Sequence, residues 1–254
     1  SDFAVEHKPG DDGPVTEADK RANEHIVAGL RAAFPDDGIV AEESADQLTG
    51  QASRRCWFVD PLDGTREFVD RNGEFVVHIG LAIDGEAALG VVLHPTGDHL
   101  WTGIVGVGAW LETEGVVIAS RLPGTVPKRP RLVGSRSRPS SRVRRVADAL
   151  GSGPVERCGS VGLKAARVVE GQADAYIHFG ASTSLWDVCA PEAVVRAAGG
   201  RFCGLDGLPL RYDGGGTRNM AGILCCHPLL FSRVRGAIDR VLADEAGAPP
   251  RPAP

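Results

Sequence analysis

The apolar run Cys56-Trp57-Phe58-Val59 leads directly into Asp60-Pro61-Leu62-Asp63-Gly64-Thr65. The run is short and aromatic and ends at a turn sequence, so it reads as a buried strand feeding a loop. Pro61 fixes its own φ and holds Asp60 extended. Two aspartates at this spacing can converge on one point, with the Leu62 carbonyl between them as a third oxygen. Gly64 lets the backbone approach a ligand closely. The amides of Gly64 and Thr65 are expected to open a helix through Glu67 and Phe68, whose first turn is a seat for phosphate. Acids gathered at a strand end need cations, because unpaired buried charge is very costly. A plain capped turn with Asp63 as N-cap leaves Asp60 unexplained.

Three further segments supply acids in comparable places. Glu42 and Glu43 follow the apolar Ile39-Val40-Ala41, Asp187 follows Trp186 at a helix start, and Asp19 lies in the first turn of another helix. Taken singly these are a solvated turn, an N-cap and a first-turn helix acid. Taken together, Glu42, Asp60, Asp63 and Asp187 bring four negative charges. Hard oxygen ligands point to Mg²⁺, and the charge count suits two or three ions, as in two-metal phosphoryl hydrolysis. Thr65 and Asp19 are placed to orient or deprotonate a water, and Glu43 to support the cage from behind.

The rest of the chain bounds the setting. With 254 residues, 43% hydrophobic and 24% charged, it has material for one large domain or two small ones. The net charge of −5 gives no general attraction to nucleic acid or to an anionic membrane. No apolar run is long enough for a membrane span. The first residues, Ser1 to His7, do not form a signal peptide, and the missing initiator Met reads as trimming. Six cysteines without paired metal-ligand spacing are expected to be reduced and buried in a cytoplasmic protein.

A helix is predicted over Thr16–Phe34 and strands over 76–83, 87–94, 99–102 and 108–111, forming an antiparallel meander. Residues 122–130, rich in proline, form a connector. Beyond it strands at 132–133, 173–179 and 220–226 alternate with helices at 140–150, 160–170, 186–198 and 229–243, implying an α/β half. The expected division is 1–127 as an α+β half with most metal ligands, 128–245 as an α/β half with Asp187 and substrate contacts, and 246–254 as a disordered tail.

Pro14-Val15-Thr16-Glu17-Ala18-Asp19, Ala41-Glu42-Glu43-Ser44, the Asp60–Thr65 hexapeptide and Trp186-Asp187 with its helix and Gly199-Gly200 occur in this order. From about Gly13 to Cys226 the chain resembles the inositol monophosphatase superfamily of Mg²⁺-dependent, lithium-sensitive phosphatases. The resemblance implies a layered α/β/α/β/α sandwich of the inositol monophosphatase / fructose-1,6-bisphosphatase type. It implies Glu42, Asp60, Asp63, Asp187 and the Leu62 carbonyl as metal ligands, and Asp19 and Thr65, with Glu42, as the groups that position the attacking water.

Within the superfamily, Arg66-Glu67-Phe68 and Asn72-Gly73-Glu74-Phe75 are similar to the 3′(2′),5′-bisphosphate nucleotidases. That subgroup implies removal of the 3′-phosphate of adenosine 3′,5′-bisphosphate, and of 3′-phosphoadenylyl sulfate, in sulfur metabolism. The same-class rival is an inositol or broad sugar phosphatase; the different-class rival is a silent anion- or nucleotide-binding module. Gly159-Ser160-x-x-x-Lys164 resembles the segment that holds the nucleotide: Ser160 would cap a helix whose N-terminus and Lys164 face the second phosphate. Asp63, Gly64, Thr65, Ser135, Gly159, Ser160, Lys164, His178 and Asp187 form the expected substrate contacts. Tyr176-Ile177-His178 departs from the subgroup's Tyr-Pro-Arg, so a histidine stands where an arginine is usual. A homodimer is common among such relatives.

Other features carry less. Lys128 to Arg145 contains eight basic residues and no acid, but without interleaved aromatics it reads as a solvated face or as a rim attracting polyanionic nucleotides, with Ser135 and Arg136 nearest the site. Gly106-Val107-Gly108 lacks the third glycine of a dinucleotide loop. His78 and His94 sit in strand patterns as core or hydrogen-bonded histidines.

Overall fold

The computed structural model describes residues 5–7, 14–44, 51 and 53–247, with the backbone alone for 5–7 and 14–15. Helix α1 (Glu17–Ala33) precedes strands β1 (Gly38–Ala41) and β2 (Arg55–Asp63). A single-turn helix α2 (Thr65–Val69) separates β2 from β3 (Val76–Ile83), and β4 (Glu86–His94), β5 (His99–Ile104), β6 (Gly108–Thr113) and β7 (Val116–Ser120) follow. These strands form one seven-stranded sheet in chain order. β1 and β2 are parallel and all later neighbours antiparallel, so the meander expected from the Gly and Asp turns is present and gains β7.

The connector carries no helix or strand. After it come β8 (Leu132–Ser135), α3 (Ser141–Leu150), β9 (Glu156–Cys158), α4 (Val161–Val169) and β10 (Ala175–His178). Then come α5 (Leu185–Ala197), β11 (Arg201–Cys203), β12 (Ile223–Cys226) and α6 (Phe231–Ala246). The second sheet has the order β9-β8-β10-β12-β11. β8 is parallel to both neighbours and β12 antiparallel to both of its own.

Burial shows the layering. Val27 of α1 packs with Ala41 and Val59 on the outer face of the first sheet. Between the sheets, Leu163, Val168, Val188 and Val194 of α4 and α5 share one core with Phe58 and Val92 on one side and Val133 and Ile223 on the other. Val146 of α3 and Ile238 of α6 cover the far face of the second sheet with Leu132, Ile177 and Leu224. The sequence of layers is α/β/α/β/α.

One seam is closer than the rest. Gly80, Gly90 and Gly103 stand side by side on β3, β4 and β5. A methyl group on Gly80 would fall 2.7 Å from the Ala190 amide nitrogen, one on Gly90 would overlap the Ala190 carbonyl oxygen, and one on Gly103 would fall 2.5 Å from Val194 Cα. Helix α5 therefore lies directly on bare backbone.

Helix α2 opens at Thr65 with Gly64 as its N-cap, at φ of 102°, close to the expected start. Several other expected boundaries move. Asp187 is the third residue of α5 and Ser184 its N-cap. Residues 220–226 are not one strand: Arg218–Asn219 pairs with Thr183–Ser184, and a turn with Gly222 at positive φ precedes β12. The last helix extends to Ala246, so the expected tail loses its first residue to α6; residues 248–254 lie outside the described residues. The six cysteines are free and buried. No helix among the described residues is long and apolar enough to cross a membrane.

Candidate active site: a carboxylate cage at one end of a cleft

In a regular strand, residues three apart point to opposite faces. Asp60 pairs with His78 and Asp63 with Val76, so three steps along β2 match two along β3. This irregularity cancels the alternation and turns both acids to one side. Asp187 comes from the first turn of α5. One carboxylate oxygen from each of Asp60, Asp63 and Asp187 lies within 4.8 Å of the others.

Each acid is fastened by a backbone amide. Leu62 N–H donates to Asp60 at 2.9 Å and Ser184 N–H to Asp187 at 2.6 Å. Asp63 Oδ2 accepts from the Ser160 hydroxyl at 2.6 Å and from the Val161 and Gly162 amides at 2.5 and 3.3 Å. Asp19, third residue of α1, accepts the Thr16 amide at 2.8 Å and the Thr16 hydroxyl at 2.5 Å. Thr65 Oγ1 lies 3.3 Å from Asp19 Oδ1 and 3.2 Å from the Leu62 carbonyl, either of which can accept its proton. Glu42 hangs from the end of β1, where its amide donates to the Val59 carbonyl at 3.0 Å, and its residue lines the same cleft.

The electrostatics match that crowding. Asp60 is 1% exposed. Burial, then the charges of Glu42, Asp63 and Asp187, push its carboxyl well above the usual range. Burial, then Asp63 and Glu42, push Asp187 up to about 7. Both shifts record carboxylates that repel in a low-dielectric place. A divalent cation removes that repulsion, and an all-oxygen donor set suits Mg²⁺. The residues present therefore fit the ion that the sequence implies.

The cleft has a volume of about 420 Å³. Glu42, Asp60, Asp63, Thr65 and Asp187 line one end, and Ser135, Arg138, His178 and Ser182 the other. Gly64, Ser160 and Lys164 also border it, whereas Gly159 does not. Gly159 N–H donates instead to Glu74 Oε2 at 2.6 Å, and a methyl group there would meet Glu67 and Glu74.

The second-phosphate seat expected at Ser160 and Lys164 takes another form. The amides at the start of α4 are committed to Asp63. Lys164 is 4% exposed. Its ammonium donates to the carbonyls of Cys158 at 3.4 Å, Gly159 at 3.2 Å and, still closer, Ser160. Burial lowers its pKa, with Asp63 opposing. Lys164 thus staples the turn before α4.

Arg136 is likewise turned away from the cleft. It grips Glu74 in a two-pronged pair at 2.6 and 2.7 Å, and Arg138 lines the cleft in its place. Arg142 and Arg145 pair with Glu245 and Asp244 on α6. Ser135 Oγ accepts the Arg138 amide at 3.1 Å, and His178 Nε2 lies 2.9 Å from Ser182 Oγ. Burial, then Lys164 and Arg138, hold His178 down at about 4, so near neutral pH it brings no charge. His78, fully buried, lies 3.6 Å from Asp63. Buried Glu67, Thr183 and Ser184 also border the cleft. The Ser184-x-x-Asp187 spacing was a readable capping box, whereas Arg138 was hidden inside a basic run.

Comparison with known proteins adds kinship to this geometry. A model described as the inositol monophosphatase family matches residues 1–231. The 3′(2′),5′-bisphosphate nucleotidase CysQ of Escherichia coli is 39% identical over 203 residues, covering 80% of this chain and 80% of that protein. The 3′-phosphoadenosine 5′-phosphate phosphatase of Mycobacterium tuberculosis is 36% identical over 203 residues, covering 77% and 71%. Among solved structures, an inositol monophosphatase from Anabaena superposes with a TM-score of 0.74 at 28% identity, covering 88% of this chain and 86% of that one.

Proposed function

This chain belongs to the inositol monophosphatase family, and we propose that it is a Mg²⁺-dependent 3′(2′),5′-bisphosphate nucleotidase. It removes the 3′-phosphate of adenosine 3′,5′-bisphosphate, leaving adenosine 5′-monophosphate and inorganic phosphate. The sulfated analogue 3′-phosphoadenylyl sulfate carries the same 3′-phosphate and is accepted in the same cleft. The observation that carries this reading is the convergence of Asp60, Asp63 and Asp187 in a chain this similar to two nucleotidases.

Glu42, Asp60, Asp63, Asp187 and the Leu62 carbonyl would hold the metal. When bound, Mg²⁺ supplies positive charge against the phosphoryl oxygens and makes water more acidic. The chain's own residues do the aligning. With its proton directed at Asp19 Oδ1, Thr65 Oγ1 offers lone pairs to a water. The water's proton is then drawn toward Thr65 and Asp19 as its oxygen attacks phosphorus. The bond from phosphorus to the 3′-oxygen breaks, and the sugar oxygen takes a proton from solvent. The water's proton passes to Thr65 Oγ1 as the Thr65 proton passes to Asp19 Oδ1, and Asp19, held in place by Thr16, returns it to solvent.

Steady-state kinetics on adenosine 3′,5′-bisphosphate, inositol 1-phosphate and fructose 1,6-bisphosphate tests the proposal. The expected order of kcat/KM places the nucleotide first, with activity lost in chelator and restored by Mg²⁺. An inositol phosphate turned over well above the nucleotide would contradict the substrate assignment.

A further inference from the structure

Beyond the end of the cleft marked by Ser135, Arg138, His178 and Ser182 lies a second cavity of about 670 Å³, which shares those four residues. Its walls are of two kinds. Val143, Ala147, Val155, Ile177 and Phe179 present apolar surface, and Arg138, Arg144 and Arg157 present guanidinium groups. Asp148 is the single carboxylate on its lining. Arg138 sits at the junction, bordering both spaces.

Of the other cations, Arg66 borders only the cleft and Arg144 and Arg157 only the second cavity, and several more are spent. Lys164 is tied to three carbonyls, Arg136 to Glu74, and Arg142 and Arg145 to α6. His178 is uncharged. Among the described residues, the Arg138 side chain makes no hydrogen bond or ion pair, and only its backbone amide is engaged. A guanidinium between an acidic cage and an apolar chamber suits an anion attached to a flat apolar group.

We propose that Arg138 is the specificity-determining cation of this cleft: it takes the second phosphate of a nucleoside bisphosphate whose 3′-phosphate lies at the carboxylate cage, while the second cavity houses the nucleoside. The proposal rests on the nucleotidase reading above and names the group that reads its substrate. It also explains how the chain manages with a histidine at position 178 and with the α4 amides already committed to Asp63.

The test uses the full chain with Mg²⁺ and compares adenosine 3′,5′-bisphosphate with adenosine 3′-monophosphate, which lacks the second phosphate. In Arg138→Gln the ratio of their kcat/KM values is expected to fall roughly 30-fold, chiefly through KM for the bisphosphate, as for loss of one charged hydrogen bond. Arg138→Lys, which keeps the charge and loses the fork, should lie between. Calorimetry supplies a readout apart from turnover: Arg138→Gln should weaken adenosine 5′-monophosphate by a similar factor and adenosine much less. A wild-type enzyme that prefers the bisphosphate, with the ratio unchanged in Arg138→Gln, overturns the assignment of Arg138 and leaves the nucleotidase reading standing. A wild-type enzyme inactive on the bisphosphate overturns both.

Discussion

The two ends of the cleft are built by opposite rules. At the acidic end Asp19, Asp60, Asp63 and Asp187 come from three elements, α1, β2 and α5, and each accepts a backbone amide within 3 Å. At the basic end Arg138 projects from the turn after β8, exposed and fixed only through its main chain. Groups that stabilise a transition state gain from being held before the substrate arrives. A group that selects substrate needs reach more than rigidity. The difference predicts that changes at the acidic end lower kcat for every substrate, while changes at the basic end alter the choice among substrates.

The sharpest way to break this comparison is Asp63→Asn. It should lower kcat by roughly 10²-fold or more, about equally for a nucleotide bisphosphate and a small phosphomonoester. Near-normal turnover by stopped-time phosphate release would remove Asp63 from the cage. Thr65→Val keeps shape and deletes the hydroxyl. A roughly 30-fold fall in kcat with little change in KM is expected, and a rise confined to KM would move Thr65 from aligning water to binding substrate.

Glu74 tests the seam between the ends. It joins Arg136 and the Gly159 amide, from the second sheet and the turn before α4, to the loop after α2. Burial raises its pKa, but the Arg136 and Gly159 bonds outweigh this and leave it lowered. A carboxylate with a lowered folded pKa contributes stability that is present above its unfolded value, near 4.3 on the usual scale, and is lost as pH falls through the folded value. Glu74→Gln should therefore cost about 1 kcal/mol near neutral pH, discounted for partial exposure. It should also flatten the fall in melting temperature as pH drops below the ordinary glutamate value of about 4.3. A melting curve with undiminished acid sensitivity would place that sensitivity elsewhere.

Much of the layered fold and the acidic end was legible because the information is local. The strand, the Pro61 constraint and the positive-φ glycine lie within one stretch, and helical spacing gave α1, α3, α4 and α5 to within a residue or two at most ends. What escaped depends on distant partners or short pieces. β9 and β11 have three residues each, too few for a period to register. Lys164 looks like a phosphate donor until Asp63, 97 residues before Ser160, takes the amides at the start of α4. Arg136 and Arg138 are indistinguishable in a basic run. Only Glu74, 62 residues away, draws one aside and leaves the other in the cleft.

The glycine row under α5 extends the active site beyond the residues that touch substrate. Ala190 lies three positions after Asp187, about 4.5 Å along the helix axis. Its carbonyl rests where a Gly90 side chain would be. The helix is thus set by direct backbone contact, like a shaft on its bearing, and the reach of Asp187 toward Asp60 and Asp63 inherits that tolerance. Gly80, Gly90 and Gly103 carry no functional group, yet even one methyl there would lift the shaft and shift Asp187 relative to Asp60 and Asp63.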